Sequence, residues 1–348
     1  MSARARLVFC AVVLGALHLA VACAGFLAPY DPTAQDREHP YAPPMRLHFV
    51  DAHGGMHLRP FAYAQGLRAG SFDAYAEDRA RAIPVRFFVS GAPYRVLGVL
   101  GLRLHLFGGD APVYLLGTDG YGRDLLSRML FGGQVSLLAG LIGAGLTLSI
   151  GLCIGAAAGF WGGWKDEVLM RVAELFLALP WIYLLFAMRA FLPLAVPPVK
   201  AFLLVVVVIG AVGWARPARM VRGIVLSAKE RNFVRAARGF GASGGYLLRR
   251  HILPETGSVL LTQAAVLVPQ FVLAEMTLSF LGLGVPEPVP SWGNLLASLQ
   301  HYNVLASYWW MYLPALAMVP FFLGYLVLAS LLQGSSRTPK IEEASNWV

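Results

Sequence analysis

Glu275 is the only charged residue of the long apolar run Thr256–Leu283, which also holds Gln263 and Gln270. Ionisable groups placed in such runs face a cavity or a partner, so the chemistry open to them is hydrogen bonding and the holding of an ion or proton. Gln263 and Gln270 stand seven residues apart, close to two helical turns, and share a face that would line a path. Glu275 lies five residues further on and leaves that face; bracing a helix through hydrogen bonds is its plainer role. Ion pairing is the chemistry of a second stretch, LGTDGYGRDLLSRMLFGGQVSLLAG (116–140), where Asp119, Gly122, Arg123, Asp124, Ser127 and Arg128 crowd together. A third, FVRAARGFGASGGYLLRRHILP (233–254), is arginine-rich, helical in character and interrupted by glycines. A membrane protein that keeps such a loop in water uses it to meet a soluble partner. His39, His48, Asp51, His53 and His57 cluster elsewhere, but their spacings match no closed zinc pattern and no metal is expected. The sequence has no P-loop, HExxH or GxSxG, so no catalytic residues are expected.

The elements that must position these groups are membrane spans. Hydrophobic residues make up 57% of the 348 and charged ones 14%, against about 25% charged in average soluble chains. Leu7–Leu27, Val135–Trp161 and Tyr302–Ser336 carry no Asp, Glu, Lys or Arg, and Val196–Trp214 carries only Lys200. With Thr256–Leu283 these reach the roughly 20 residues a spanning helix needs. A further candidate around Val168–Leu192 contains Arg171, Glu174 and Arg189 and is the weakest. The expected fold class is an all-α polytopic membrane protein of six transmembrane helices. Pro180 and Pro269 fall within spans and permit kinks.

Between Arg216 and Glu255 nine basic residues face two acidic ones. With Arg4 and Arg6 ahead of the first span, this bias places the loop and both termini in the cytoplasm. The net charge of +9 is explained by a loop bordering anionic lipid, and no nucleic acid is implied. Cys10, Cys23 and Cys153 all fall in spans, so no disulfide framework is expected. The first span reads as a retained anchor rather than a cleaved leader. The boundaries are then 1–30 for the N-terminus and first helix, 31–115 for an extracytoplasmic insert, and 116–134 for an interfacial amphipathic segment. The membrane-spanning region is 135–336, with a loop at 216–255, followed by a tail at 337–348. Alternation in Arg86–Val89 and Tyr94–Leu97 suggests short strands within the insert, and Thr118 or Asp119 is a plausible helix N-cap.

Four stretches resemble one family in order. The loop resembles the cytoplasmic coupling loop of ABC importer permeases, with Ala236, Ala237, Gly241, Ile252, Leu253 and Pro254 in the pattern and Arg235 where the family usually has glutamate. LGTDxxGRDxxSRxxxGxxxSL resembles the signature of oligopeptide, dipeptide and nickel importer permeases. Gly159–Pro180 and Leu278–Gly293 resemble two further segments of the same family, and the long insert resembles that of a peptide-transporting branch.

The resemblance implies a type I ABC importer permease fold and the second, C-type, permease of a peptide importer in the bacterial inner membrane. It implies a homologous second permease, two ABC ATPase subunits that bind ATP and magnesium, an extracytoplasmic solute-binding protein and membrane lipid as partners. It implies no cofactor in this chain and no enzymatic activity of its own. A short helix at roughly Phe233–Arg238 would act as a peg in a groove of the ATPase, which would carry the acid that compensates Arg235. The insert would touch the binding protein or gate the outer mouth. A nickel or other small-solute permease is the alternative within the family, and an ion-coupled secondary transporter using Glu275 is the alternative outside it.

Overall fold

A proline breaks one of the apolar runs, while Pro269 and Pro320 lie inside unbroken helices. The computed structural model describes residues 3–67, 74–96, 100–191, 193 and 196–337. Among the described residues four helical stretches are long and apolar enough to cross a membrane: Ala5–Ala22, Leu125–Trp161, Gly244–Phe280 and Trp309–Gly334. Two bent pairs bring the number to six if each is one span. In the first, Gly163–Ala178 and Trp181–Ala190 meet at 94°. Pro180 has no N–H to donate and excludes the helical conformation at the preceding residue, so Leu179 is extended at φ −86°, ψ 137°. The continuous third span expected around 168–192 is thus corrected to a right-angled break. In the second pair Pro198–Gly213 bends by 45° into Ala215–Lys229.

The helix Leu125–Trp161 has 37 residues, about 55 Å at 1.5 Å per residue, against a hydrocarbon core of ~30 Å. The interfacial segment expected at 116–134 therefore has no break from the span that follows; its helical part is the first turns of one helix. The helix start is also later than expected. Asp124, not Thr118 or Asp119, caps it, its Oδ2 accepting from the Ser127 backbone N–H at 2.8 Å.

The chain divides into two units. The first takes the residues up to Leu14, Leu138–Glu275 and the chain from Phe321 onward. Within it, Gly151, Gly155 and Gly159 form a stripe one turn apart that lies on the helix Ala215–Lys229. A Cβ on Gly155 would strike the Ala218 carbonyl oxygen, and one on Gly159 would sit 2.9 Å from the Arg222 oxygen. Small residues permit this backbone approach, the usual way apolar helices pack without a hydrophobic driving force. Asp166 fixes the neighbouring helix through a two-armed bridge to Arg222, at 2.5 and 2.7 Å.

The second unit, Gly15–Leu137 with Met276–Pro320, contains the strands found among the described residues. β1 (His48–Val50), β2 (Met56–Leu67) and β3 (Tyr75–Pro84) form an antiparallel sheet in that order, and β4 (Arg86–Val96) pairs with β5 (Leu100–Gly108) as a hairpin. Met45, Ala62, Ile83, Val85, Phe107, Val113 and Tyr114 make its core. The all-α expectation is corrected here by these five strands. Of the tail expected at 337–348, residues 338–348 lie outside the described residues.

Candidate functional site

In the second unit the motif around residue 119 folds into a bracket of ions in which Asp119, Arg123 and Arg128 are buried and Glu287 is 46% exposed. Asp119 accepts on Oδ1 from the Tyr121 and Arg123 backbone N–H groups, at 2.8 and 3.1 Å, closing a tight turn. Its Oδ2 takes Arg123 Nε at 2.7 Å and lies 3.4 Å from Arg128 Nε. Both guanidiniums then converge on Glu287, Arg123 Nη1 at 2.7 Å and Arg128 Nη2 at 2.9 Å. Arg128 is 1% exposed and also donates to the Pro32 carbonyl at 3.3 Å. Two arginines and two carboxylates balance, which is what makes such burial tolerable. Gly122 is needed for approach: at φ +70° it lies against the Asp36 carbonyl, where a Cβ would collide. Thr118 Oγ1 donates to the His39 oxygen at 2.5 Å and accepts from the Ala42 N–H at 2.8 Å. Trp310 Nε1 donates to the Thr118 oxygen at 3.2 Å. The bracket borders a cavity of about 570 Å³ lined in part by Tyr41, Tyr121, Asn294 and His301.

All six motif residues named from the sequence are brought together and buried. Glu287 was not singled out, although it lies inside the quoted segment Leu278–Gly293. Its one signal was that Glu287 is the only acid of that segment; charge counting did not find it, because Asp119 and Asp124 already match the two arginines within the motif.

The first unit holds the arginine-rich loop. The helix Asn232–Gly239 contains Arg235, Ala236 and Ala237, one residue longer at each end than expected. Val234 is fully buried and Ala237 half-buried, while Arg235, Ala236 and Arg238 face solvent. Val234, Leu247 and Ile252 share a cluster with Val221, Val225, Ala228 and Ala156, and Leu253 packs at its edge. Gly241 makes the turn after the helix, with φ +87°. Pro254 enters no regular α-helix at once: Leu248–Ile252 is a π turn and Leu253–Thr256 a 3₁₀ turn before Gly257–Phe280 begins. The acid beside Arg235 belongs to this chain. Glu230 accepts from Arg235 Nη2, and that bond holds its carboxyl below the usual range. The compensating acid expected on the ATPase thus has a counterpart in cis.

Gln263, Gln270 and Glu275 all lie on Gly257–Phe280. Gln263 is 9% exposed, Gln270 half-buried and Glu275 completely buried. The histidines of the insert disperse. His39 bridges Asp36 Oδ2 at 2.7 Å and the Gln65 oxygen at 3.0 Å, and His48 stands 3.6 Å from Glu77. His57 meets Asp51 at 2.8 Å, and this bond with the Gly55 and His53 N–H groups draws the Asp51 carboxyl down to about 2. Among the described residues no three His, Cys, Asp or Glu side chains form a set able to hold a metal.

Residues 151–337, more than half of the chain, match the family described as the binding-protein-dependent transport system inner membrane component. The chain belongs to that family. A Brucella suis protein named as a peptide permease is 39% identical over 197 residues, 57% of this chain and 63% of the relative. The oligopeptide transport system permease protein OppC of Haemophilus influenzae is 38% identical over 184 residues, 53% of this chain and 57% of the relative. OppC of Bacillus subtilis is 36% identical over 204 residues, 57% and 63%. The chain therefore spans somewhat under two thirds of the length of these relatives. A chain of an inward-facing methionine ABC transporter superposes with a TM-score of 0.41 at 18% identity, over 59% of this chain and 96% of that one, too slight a likeness to carry weight.

Proposed function

We propose that this chain is the C-type permease subunit of an ATP-driven importer that moves peptides across the bacterial cytoplasmic membrane. The observation that carries the coupling part is the helix Asn232–Gly239, seated on a buried cluster through Val234 and presenting Arg235 and Arg238 to solvent. A short rigid helix of that kind suits a groove on a separate ATPase. Val234, Leu247 and Ile252 share one buried cluster with Val221 and Val225 of the helix Ala215–Lys229 and with Ala156 of Leu125–Trp161. A push on the peg is therefore felt by two long helices at once, since close-packed interiors transmit displacement rather than absorb it. The peptide part is supported by relatives named for peptide and oligopeptide transport.

In this reading Arg235, Ala236, Ala237, Gly241, Ile252, Leu253 and Pro254 form the coupling loop, inside the cell with both termini. Asp119, Gly122, Arg123, Asp124, Ser127 and Arg128 brace the external side, and Gln263, Gln270 and Glu275 border the path. ATP and magnesium are bound by two ABC ATPase subunits. A homologous second permease and an extracytoplasmic solute-binding protein complete the assembly.

Purification of the chain from native membranes in mild detergent, with mass spectrometry of what accompanies it, tests the proposal. Two ATPases, a sibling permease and a peptide-loaded binding protein are the expected companions. A chain that purifies alone and moves solute in liposomes without ATP would be a secondary transporter instead, and a binding protein loaded with nickel would overturn the peptide assignment.

A further inference from the structure

The sheet of β1, β2 and β3 carries a cleft of about 680 Å³, within the ~300–1,000 Å³ of small-ligand sites. Phe61 lies opposite Pro84 and Tyr63 opposite Ala82, so these four share one face, while Ala62 and its partner Ile83 point into the core. Alternation along β2 puts His57 and Arg59 on the face of Phe61. Arg79 arrives there by a different route. Counted back in twos from Ile83, it would face the core in a regular strand. The register slips after Tyr63, since Ala64 pairs with Asp78 and residues 79–81 of β3 have no place in the ladder. Asp78 Oδ1 holds this bulge by accepting from the Ala80 N–H at 3.0 Å. A bulge re-aims a side chain, and Arg79 lines the cleft together with Arg59.

The donors of this cleft are unspent. Arg59 and Arg79 are exposed, and neither guanidinium has an ion pair or hydrogen bond among the described residues. Asp51 is the one acid among the described lining residues, and it is engaged elsewhere. Its Oδ1 takes the His53 and Gly55 N–H groups at 2.9 Å each, and its Oδ2 takes His57 Nε2 at 2.8 Å. Tyr63 is 6% exposed, its ring edge-on to Phe61 at 5.3 Å, yet its hydroxyl has no hydrogen-bond partner among the described residues. A hydroxyl so nearly buried is normally bonded. Two guanidiniums and a phenol are donors, and what they lack in common is an anionic acceptor. Phe61, Ala82 and Pro84 give the same cleft an apolar wall. A bare phosphate would leave that wall unused; a carboxylate next to an apolar group uses both.

We infer that this cleft binds the C-terminal carboxylate of a short peptide. Arg59 and Arg79 hold the carboxylate, the Tyr63 hydroxyl donates to it, and the last side chain rests against Phe61 and Pro84. The carboxylate follows from the donors and its apolar neighbour from the wall; that the ligand is a peptide rests on the importer reading above. The cleft shares no residue with Gln263, Gln270 and Glu275, so it is an accessory site on the insert rather than part of the path.

The test titrates the full chain in lipid nanodiscs, without ATPases or binding protein, against a tripeptide of two alanines and a C-terminal fluorophenylalanine, read by fluorine NMR. The peptide amide is the comparison. The free acid should bind at least about tenfold more tightly than the amide, the scale of one hydrogen bond to a charged group. Arg59→Gln with Arg79→Gln should weaken the acid by at least about tenfold and leave the amide unmoved. Tyr63→Phe should cost the acid about tenfold with no change in melting temperature, because that hydroxyl has no partner in the free chain to lose. Arg95→Gln with Arg103→Gln, on β4 and β5, is the charge-matched control and should change nothing. Acid and amide that bind alike, or acid binding indifferent to Arg59 and Arg79, overturns the inference. So does competition by acetate or inorganic phosphate as strong as that of the peptide, which would make the cleft a general anion site. Binding is read here without transport, so its absence would leave the importer proposal standing.

Discussion

Asp124 shows at the scale of one residue how burial and capping pull a carboxyl in opposite directions. Its Oδ2 accepts from the Ser127 N–H at 2.8 Å and from the Ser127 hydroxyl at 2.6 Å, both of which favour the ionised form. Its Oδ1 has no hydrogen-bond partner and the residue is 2% exposed. Desolvation wins, with the nearby Asp119 adding to it, and the carboxyl is pushed up to about 6. Because the folded value lies above the unfolded one of about 3.9, the folded state holds the extra proton in between, and stability falls as pH rises from ~4 to ~6. The loss is on the order of 3 kcal/mol, and it is complete at neutral pH. Asparagine caps as well as aspartate, keeps an oxygen for Ser127 and carries no charge. Asp124→Asn should therefore melt no lower than the parent at pH 7, and the gap between the two melting temperatures should shrink as pH drops below 6. A variant that melts lower at pH 7 would show that the ionised form is the stable one. The sequence motif named every member of this bracket except Glu287 but not their division of labour. Capping, turn closure and ion pairing use the same residue types, and only the position of the helix start at Leu125 separates them.

Helices in the first unit are held by what their glycines leave out. At Gly155 a Cβ would strike the Ala218 carbonyl, a backbone atom that cannot swing aside. Gly223, on the helix that the stripe meets, has nothing within 4 Å of such an atom. Gly155→Ala should cost about 1–3 kcal/mol by overpacking, which thermal melting in one detergent would detect. Gly223→Ala should be neutral or gain up to ~1 kcal/mol, because glycine in a helix interior is costly. Equal effects at the two positions would remove the stripe from the account of how these helices meet. At this scale the spans were legible wherever apolar runs were long and free of charge, and the strands at Arg86–Val89 showed through their alternation. Hydropathy does not encode a partner, so the glycine stripe was invisible as a contact. The break at Pro180 was read as a permissible kink because apolar content is the same on either side of a right-angled turn. The sheet of β1, β2 and β3 was obscured by strands whose exposed faces are themselves apolar, as at Met56 and Leu58.

For the molecule as a working subunit, the pair Arg235–Glu230 decides how its loop would meet a partner. The resemblance put an arginine where glutamate is usual, and Glu230 now supplies the missing acid from the end of the preceding helix. Both side chains are more than half exposed, so the pair is screened by salt and adds little to folding. Its consequence is geometric: Arg235 is drawn back toward Glu230, leaving Arg238 and the exposed ring of Phe240 further along the loop. Two surfaces are then distinguishable. If the partner reads the balanced pair, Arg235→Glu alone sets two acids side by side and should lower ATP-driven uptake in reconstituted vesicles. Adding Glu230→Arg should then restore most of it, since the swapped pair keeps its charge balance. If the partner reads Arg235 itself, the double variant should stay as impaired as the single one, and an acidic site on the ATPase becomes the required counterpart. Unchanged uptake in the single variant would remove the pair from coupling altogether. Melting temperature serves as the control, because an exposed pair of this kind should leave it nearly unmoved in all three proteins.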